Sequence, residues 1–377
     1  MTFLNDSTIF GSIAIRLKVM ETDLKKSMKA MNLTFKSFLA RKSQEIDASF
    51  LQLCAVFVFV WFIWLTVICT GLALIYGVLF DKSFTFLTLI AFHFIYIHLD
   101  TSPTTGGRPI SYLRRHIFWT YVRNYFPQEL VYINRRATRS NLSVAGCASG
   151  GPYLIGYHPH GMTGMGAITA FSPEYDELSE IFPGVKFSGC TLDSNFRIPI
   201  LREVLLAMGA VSVSEKSIKA VLSKGVGHAA VIVPGGASEA LNSQPGSHDL
   251  TLKKRSGFFR IAIECGATVI PVYSFGENDL YQQVSSSSLK SINSRLVRFL
   301  GSFFPLYCGG GLVPFNPVPK RIPLITVIGE PIVVSPKANP SKADVERLKE
   351  HYIKHLEDVF ECFAKSYSPN RSLRIVE

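Results

Sequence analysis

The chain has 377 residues, of which 47% are hydrophobic, 12% aromatic and only 18% charged, and 39 basic against 28 acidic side chains give a net charge of +11. Length alone allows two domains, but the apolar excess argues for one soluble domain carried on a membrane anchor. The basic excess suits anionic lipid or a phosphorylated ligand, while no zinc-finger spacing, RNP-type aromatic motif or basic-region heptad supports nucleic acid.

In chain order, Ile9 to Met31 mixes Ile, Leu and Met with Lys and Arg, a pattern equally suited to a basic amphipathic helix on a membrane and to a solvated segment. From Ala48 to Phe80 there are 33 residues without a charge, more than the roughly 20 that span a bilayer. Asp81-Lys82 breaks the run, and Ser83 to Leu99 adds 17 uncharged residues, enough for a returning arm. Residues 1–47 carry eight Lys/Arg and residues 101–150 carry seven, against a single acid in the latter, Glu129. The positive-inside rule then puts both outer ends in the cytosol. The run begins too late and is too long for a cleavable signal peptide. Glycosylation tripeptides at Asn5, Asn32, Asn141 and Asn370 would stay unmodified on that side. The expected organisation is a cytosolic basic segment (1–47), a membrane hairpin (48–99) and a cytosolic catalytic domain (100–377).

Beyond residue 150 short β-branched runs alternate with helical patterns. Strands are expected at Tyr153–Tyr157, Val211–Val213, Ala229–Val233, Thr268–Tyr273 and Leu324–Ile328. Helices are expected at Ile198–Met208, Lys216–Leu222, Gly257–Glu264 and Lys342–Tyr367. Gln282–Ser288 and Pro314–Pro323 read as surface loops. The alternation predicts an α/β fold with a mixed sheet behind a membrane-embedded helical hairpin. Seven cysteines, Cys54, Cys69, Cys147, Cys190, Cys265, Cys308 and Cys362, sit far apart with no CxxC pair, which argues against a disulfide framework.

Three motifs follow predicted strands: His158-Pro159-His160-Gly161, Pro234-Gly235-Gly236-Ala237-Ser238-Glu239 and Ser274-Phe275-Gly276-Glu277-Asn278. In α/β sheets ligands gather at the carboxyl ends of strands, so the three are expected to share one edge. An imidazole there is a candidate general base, able to take the proton of an attacking hydroxyl. Gly161, and the Gly235-Gly236 turn, would let main-chain amides reach an oxyanion or phosphate. Glu239 would orient the imidazole or bind an acceptor hydroxyl. Lys253-Lys254-Arg255 suits phosphates, with Arg255 giving bidentate contact. Two other readings stay open: a structural pair of histidines, and a metal pair completed by Asp193 or Glu239. No Gly-x-Ser-x-Gly elbow or P-loop is present.

Five blocks together resemble the type-2 diacylglycerol acyltransferase family, which includes monoacylglycerol and wax-alcohol acyltransferases. They are Tyr157–Gly161, Asn195–Pro199 with Leu201-Arg202-Glu203, Pro234–Ala240, Arg255–Phe258 and Val272–Asn278, spanning about residues 150–280 in the family's order and spacing. The resemblance implies an endoplasmic-reticulum enzyme, also associated with lipid droplets, with His160 as base and His158 in support. It further implies substrate contacts at Asn195, Arg197, Glu277 and Asn278. The implied substrates are acyl-CoA as co-substrate and diacylglycerol, in the setting of a lipid bilayer, with no metal or other cofactor; a homo-oligomer is left open. The wider glycerolipid acyltransferase pattern has Asp five residues after its His; Met165 stands there, so Glu239 is expected to replace it. Phe86-Leu87-Thr88-Leu89 matches a proposed lipid-contact pattern of little specificity. A different acceptor alcohol, a silent membrane scaffold and a metal-dependent lipid hydrolase are the rival readings.

Overall fold

The computed structural model describes residues 50–80, 83–133, 151–283, 307–310, 316–367 and 371–376. The segment Ile9–Met31, the four glycosylation tripeptides' asparagines and Cys147 lie outside them. The chain divides into two compact units, residues 1–47 with 361–370 and residues 48–360 with 371–377; the sheet and the candidate site belong to the second.

Two helices open this unit, α1 (Phe50–Leu79) and α2 (Phe84–Leu99). Both are long and apolar enough to cross a membrane. Ser83 caps α2 by accepting from the Phe86 amide at 3.2 Å. No residue of α2 is buried, and α1 buries chiefly Ala55, Val56 and Val60. So much exposed Phe, Leu and Ile would be costly in water and is natural in lipid.

The body is a seven-stranded mixed sheet. Its strands are β1 (Glu129–Tyr132), β2 (Tyr153–His158), β3 (Lys186–Thr191), β4 (Val211–Ser212), β5 (His228–Ile232), β7 (Thr268–Phe275) and β10 (Ile325–Ile328), in the order β1-β10-β7-β2-β5-β3-β4. The run β7-β2-β5-β3-β4 is parallel, while β10 lies antiparallel to β7 and β1 parallel to β10. Between β5 and β7, β6 (Asp249–Thr251) pairs with the C-terminal β11 (Arg374–Val376), and β8 (Gln282–Gln283) pairs with β9 (Tyr307–Cys308). Every residue of β2 and β7 is buried, as expected of central strands covered on both faces. Tyr153, Ile155, Tyr157, Val231, Ile270 and Val272 form the centre of the core.

The predicted strands and the helices Glu215–Leu222, Ser256–Cys265 and Lys342–Tyr367 are present within a residue or two of their expected ends. The predicted helix at 198–208 is shorter. A 3₁₀ turn covers Asp193–Arg197, and the α-helix begins only at Leu201. Pro199 disfavours helical backbone at Ile198, and Ile200 adopts a positive φ of 65°. Cys54, Cys69, Cys190 and Cys265 are free thiols.

Arg202 fixes the end of α2 to this helix. Its guanidinium, 2% exposed, donates to Asp100 Oδ2 at 2.5 Å and to the Phe196 carbonyl at 3.0 Å. Without Arg202, Asp100 keeps Arg108 at 3.3 Å and its Ser102 bonds, but the Phe196 carbonyl loses its donor and a buried site is emptied. Arg202→Ala should therefore destabilise the protein by about 2–3 kcal/mol. Arg197→Ala, which removes an exposed pair with Asp193, should cost less than about 1 kcal/mol. Thermal unfolding of the detergent-solubilised variants checks the contrast.

Candidate active site

Strands β7, β2 and β5 are parallel neighbours, so their carboxyl ends at Phe275, His158 and Ile232 lie side by side. The three motif loops are thereby brought to one edge. The turn Asp193–Arg197 follows β3, the next parallel strand along.

The two histidines have different surroundings. His158 is fully buried, and its Nε2 lies 2.9 Å from the Tyr352 hydroxyl. That hydroxyl donates to the Gly156 carbonyl at 3.1 Å, so Nε2–H is the donor to Tyr352. Burial pulls the His158 imidazole down to about 3 and keeps it neutral. It ties the C-terminal helix to β2. His160 is half-buried, and its Nδ1 lies 3.1 Å from the Gly161 carbonyl. A carbonyl can only accept, so Nδ1 carries the hydrogen and Nε2 keeps its lone pair. Among the described residues no protein group bonds Nε2. Burial holds the ring below its ordinary pKa, against the pull of the Gly161 carbonyl. The result is a neutral imidazole with an available acceptor nitrogen.

Glu239 does touch His160, but through the main chain. Oε1 accepts from the His160 amide at 2.6 Å and Oε2 from the Thr251 amide at 2.7 Å. The carboxylate does not orient the imidazole, because the Gly161 carbonyl does. Each oxygen holds one amide and keeps a second lone pair, so a bond from an alcohol remains open to it. Burial pushes it up to about 7, opposed by those amides and by Arg255. Gly235 allows this approach: a Cβ there would lie 2.1 Å from Glu239 Oε2. Arg255 Nη2 donates to the Gly235 carbonyl at 2.7 Å, so the arginine braces the turn. The Gly236 amide is committed to the Val233 carbonyl at 3.2 Å.

Glu277 lies under the other side of the histidine loop. Its Oε2 accepts from the Tyr157 hydroxyl at 2.9 Å and from the Gly166 amide at 2.8 Å, while Oε1 is buried without a partner. Burial raises it to about 7, against the Tyr157 hydroxyl and the Gly166 and Met165 amides. Gly161, at φ 58°, sits against it: a Cβ would meet Glu277 Cγ at 2.7 Å. Asn278 accepts from Ser243 Oγ at 2.9 Å and donates to the Ser247 carbonyl at 2.7 Å, joining two loops. Asn195 donates to Thr191 Oγ1 at 2.8 Å, and Arg197 is exposed at its ion pair with Asp193. Among the described residues neither forms a hydrogen bond or ion pair with the His160 loop. Of the basic residues near the membrane helices, Arg108, Arg114, Arg115 and Arg123 are all paired with acids, and Lys253 and Lys254 are exposed. Among the described residues no cluster of three His, Cys, Asp or Glu side chains is placed to hold a metal ion.

Sequence reasoning missed Thr251 and Tyr352, and the bond from Tyr157 to Glu277, all set by contacts distant in the chain. It also missed what lies beyond the loop. Met162 and Met165 pack in one apolar cluster with Ala55, Val56 and Val60 of α1 and with Trp119 and Val122. Met165, five residues after His160, is thus part of the seat of α1.

The model of a family described as diacylglycerol acyltransferase matches residues 76–376. The chain is 37% identical over 269 residues to Diacylglycerol O-acyltransferase 2 of Dictyostelium discoideum, covering 70% of this chain and 78% of that protein. It is 36% identical over 292 residues to Diacylglycerol O-acyltransferase 2B of Umbelopsis ramanniana, covering 75% and 80%. To Diacylglycerol O-acyltransferase 2 of Homo sapiens it is 37% identical over 277 residues, covering 71% and 69%. Among solved structures, the 1-acyl-sn-glycerophosphate acyltransferase PlsC from Thermotoga maritima aligns with 13% identity over 78% of this chain and 94% of that one. Its TM-score of 0.35 is too low to carry an argument.

The contacts of Glu277 separate support from charge. Glu277→Gln keeps an acceptor oxygen for Tyr157 and Gly166 and should retain most turnover. Glu277→Ala removes both bonds and the floor under Gly161, and should lower turnover about 100-fold through misplacement of the loop. Steady-state rates of the two variants, at matched protein levels, give the comparison.

Proposed function

The chain belongs to the diacylglycerol acyltransferase family, and we propose that it transfers an acyl group from acyl-CoA to the free hydroxyl of diacylglycerol, forming triacylglycerol. The protein is membrane-associated, with two helices suited to spanning a bilayer. The observation that supports the reading most is the position of His160. Its free Nε2 stands at an edge shared by three loops, on a segment that packs through Met162 and Met165 against the base of α1. A base so placed can meet an alcohol that arrives from the membrane.

In the proposed reaction Nε2 takes the hydroxyl proton as the alcohol oxygen attacks the thioester carbon. Nδ1–H remains bonded to the Gly161 carbonyl, which fixes the ring as it becomes an imidazolium. The amides of Gly161 and Gly235 have no acceptor among the described residues, and we assign them to the oxyanion. Collapse of the tetrahedral intermediate breaks the carbon–sulfur bond, and the coenzyme A thiolate takes the proton from Nε2. Lys253 and Lys254, exposed beside Arg255, are assigned to the coenzyme A phosphates. The scheme uses no metal and no redox cofactor. Basic flanks on both sides of the helices favour an endoplasmic-reticulum orientation with both termini cytosolic, where acyl-CoA is supplied, and with access to lipid-droplet surfaces.

A monoacylglycerol or a long-chain alcohol would undergo the same chemistry, with acceptor shape deciding between them. The test is an acceptor panel in proteoliposomes with one labelled acyl-CoA, scored by product class. Triacylglycerol should dominate. A wax ester or diacylglycerol as the main product would overturn the acceptor assignment, and tight acyl-CoA binding without turnover would overturn the enzymatic reading.

A further inference from the structure

We propose that residues 110–117 and 200–204 form a third membrane contact, an apolar face that sits in the headgroup–acyl boundary beside the two membrane helices. The proposal rests on the membrane-bound reading above but on none of its catalytic chemistry.

Among the described residues outside 50–99, nine large apolar side chains are exposed. Six of them, Ile110, Tyr112, Leu113, Ile117, Ile200 and Val204, fall in these two segments. A soluble body rarely gathers exposed apolar groups in one place without a partner to cover them. The segments touch each other: the Arg108 and Ile110 amides donate to the Leu206 and Ala207 carbonyls at 3.0 and 2.8 Å.

Continuity with the membrane helices identifies the partner as lipid. On one side, Phe59 of α1 meets Trp119 edge-on at 5.4 Å between ring centres, and Val56 and Val60 pack with Trp119 and Val122, just after Ile117. On the other, α2 is bonded to the segment around Ile200. His93 Nε2 lies 3.0 Å from the Arg197 carbonyl, and the Tyr96 hydroxyl donates to Glu203 at 2.8 Å. Arg108 donates both to the Tyr96 hydroxyl and to Glu203, closing the set. The apolar face is therefore attached to α1 through Trp119 and to α2 through Arg197 and Glu203. When both helices are in a bilayer, such a face is held at its surface.

Ile200 adds an independent sign. A β-branched residue at φ 65° is strained, and such strain persists where the surroundings enforce it. Here it leaves Ile200 62% exposed at the start of the helix that the buried Arg202 locks to Asp100. Tyr112, 76% exposed, has the ring-plus-hydroxyl character that favours the boundary between headgroups and acyl chains.

The test places a photoreactive benzophenone amino acid singly at Tyr112, Ile117 or Ile200 in the full-length protein, reconstituted in phosphatidylcholine vesicles carrying a clickable acyl chain. Leu87 in α2 is the lipid-exposed reference. Val226 and Val333 are equally exposed, at 69% and 71%, but lie near the amino ends of β5 and β7, opposite the histidine loop. Lipid adducts at the three positions should approach those at Leu87 and exceed those at Val226 and Val333 roughly tenfold, as for an inserted apolar face. Labelling of all three at the level of the two valines would overturn the proposal. The readout needs no turnover, so it can be repeated in a His160→Ala background. Adducts in an inactive protein would uphold the lipid face and leave only the catalytic reading to fall.

Discussion

The Glu239 carboxylate, stretched between the amides of His160 and Thr251, is the interaction on which the site depends. It reaches from the loop after β5 to the loop after β2 and on to β6, joining segments that are otherwise only neighbours. An amide buried without an acceptor costs about 1–3 kcal/mol, so each of these two bonds holds its segment in place. Two donors favour the charged carboxylate while burial disfavours it, and the balance near 7 reflects that opposition. Glu277 does the same from the third loop, through Tyr157 and Gly166. The histidine loop is thus clamped from both sides by buried acids that act on its main chain and its floor. The ring itself keeps one nitrogen tied to a carbonyl and the other open.

This division of labour explains why two adjacent histidines have different fates. His158 ends a strand buried on both faces, so its side chain enters the interior and meets Tyr352, 194 residues away. His160 lies two residues further on, past Pro159, where the chain leaves the sheet and the ring is only half covered. A carbonyl partner on Nδ1 fixes the tautomer without adding a full negative charge, unlike the carboxylate found in many hydrolytic triads. The ring then stays a weak base with a low pKa, suited to a proton that is held only briefly.

Much of the fold was legible in the chain. The runs at 153–157, 229–233 and 268–273 are the three central strands because β-branched and apolar residues without interruption suit a sheet covered on both faces. The sharing of one edge by three motifs followed from their position after those strands. Other parts were hidden for physical reasons. β3, Lys-Phe-Ser-Gly-Cys-Thr, is half polar and gives no continuous apolar run. The break at Ile200 needs a conformation that local propensity forbids. The partner of Glu239 could not be read at all, because a main-chain amide leaves no mark in the sequence. The pairing of Arg108, Arg115 and Arg123 with Glu203, Glu174 and Glu177 was equally hidden, because the partners lie 54 to 95 residues away in the chain.

The His160 loop lies at the foot of α1, which in the proposed reaction joins the chemistry to the anchor. Met162 and Met165 belong both to the histidine loop's continuation and to the packing around α1, so in the proposed reaction one cluster would fix both the alcohol's point of arrival and the proton acceptor. The most direct measurement is single-turnover acyl transfer to diacylglycerol in proteoliposomes by His160→Ala, with acyl-CoA binding followed in parallel. A general base accounts for roughly 100- to 10,000-fold in rate, so turnover should fall by that factor while acyl-CoA still binds. Turnover close to that of the unaltered protein would contradict the assignment of the proton acceptor and the account built on it.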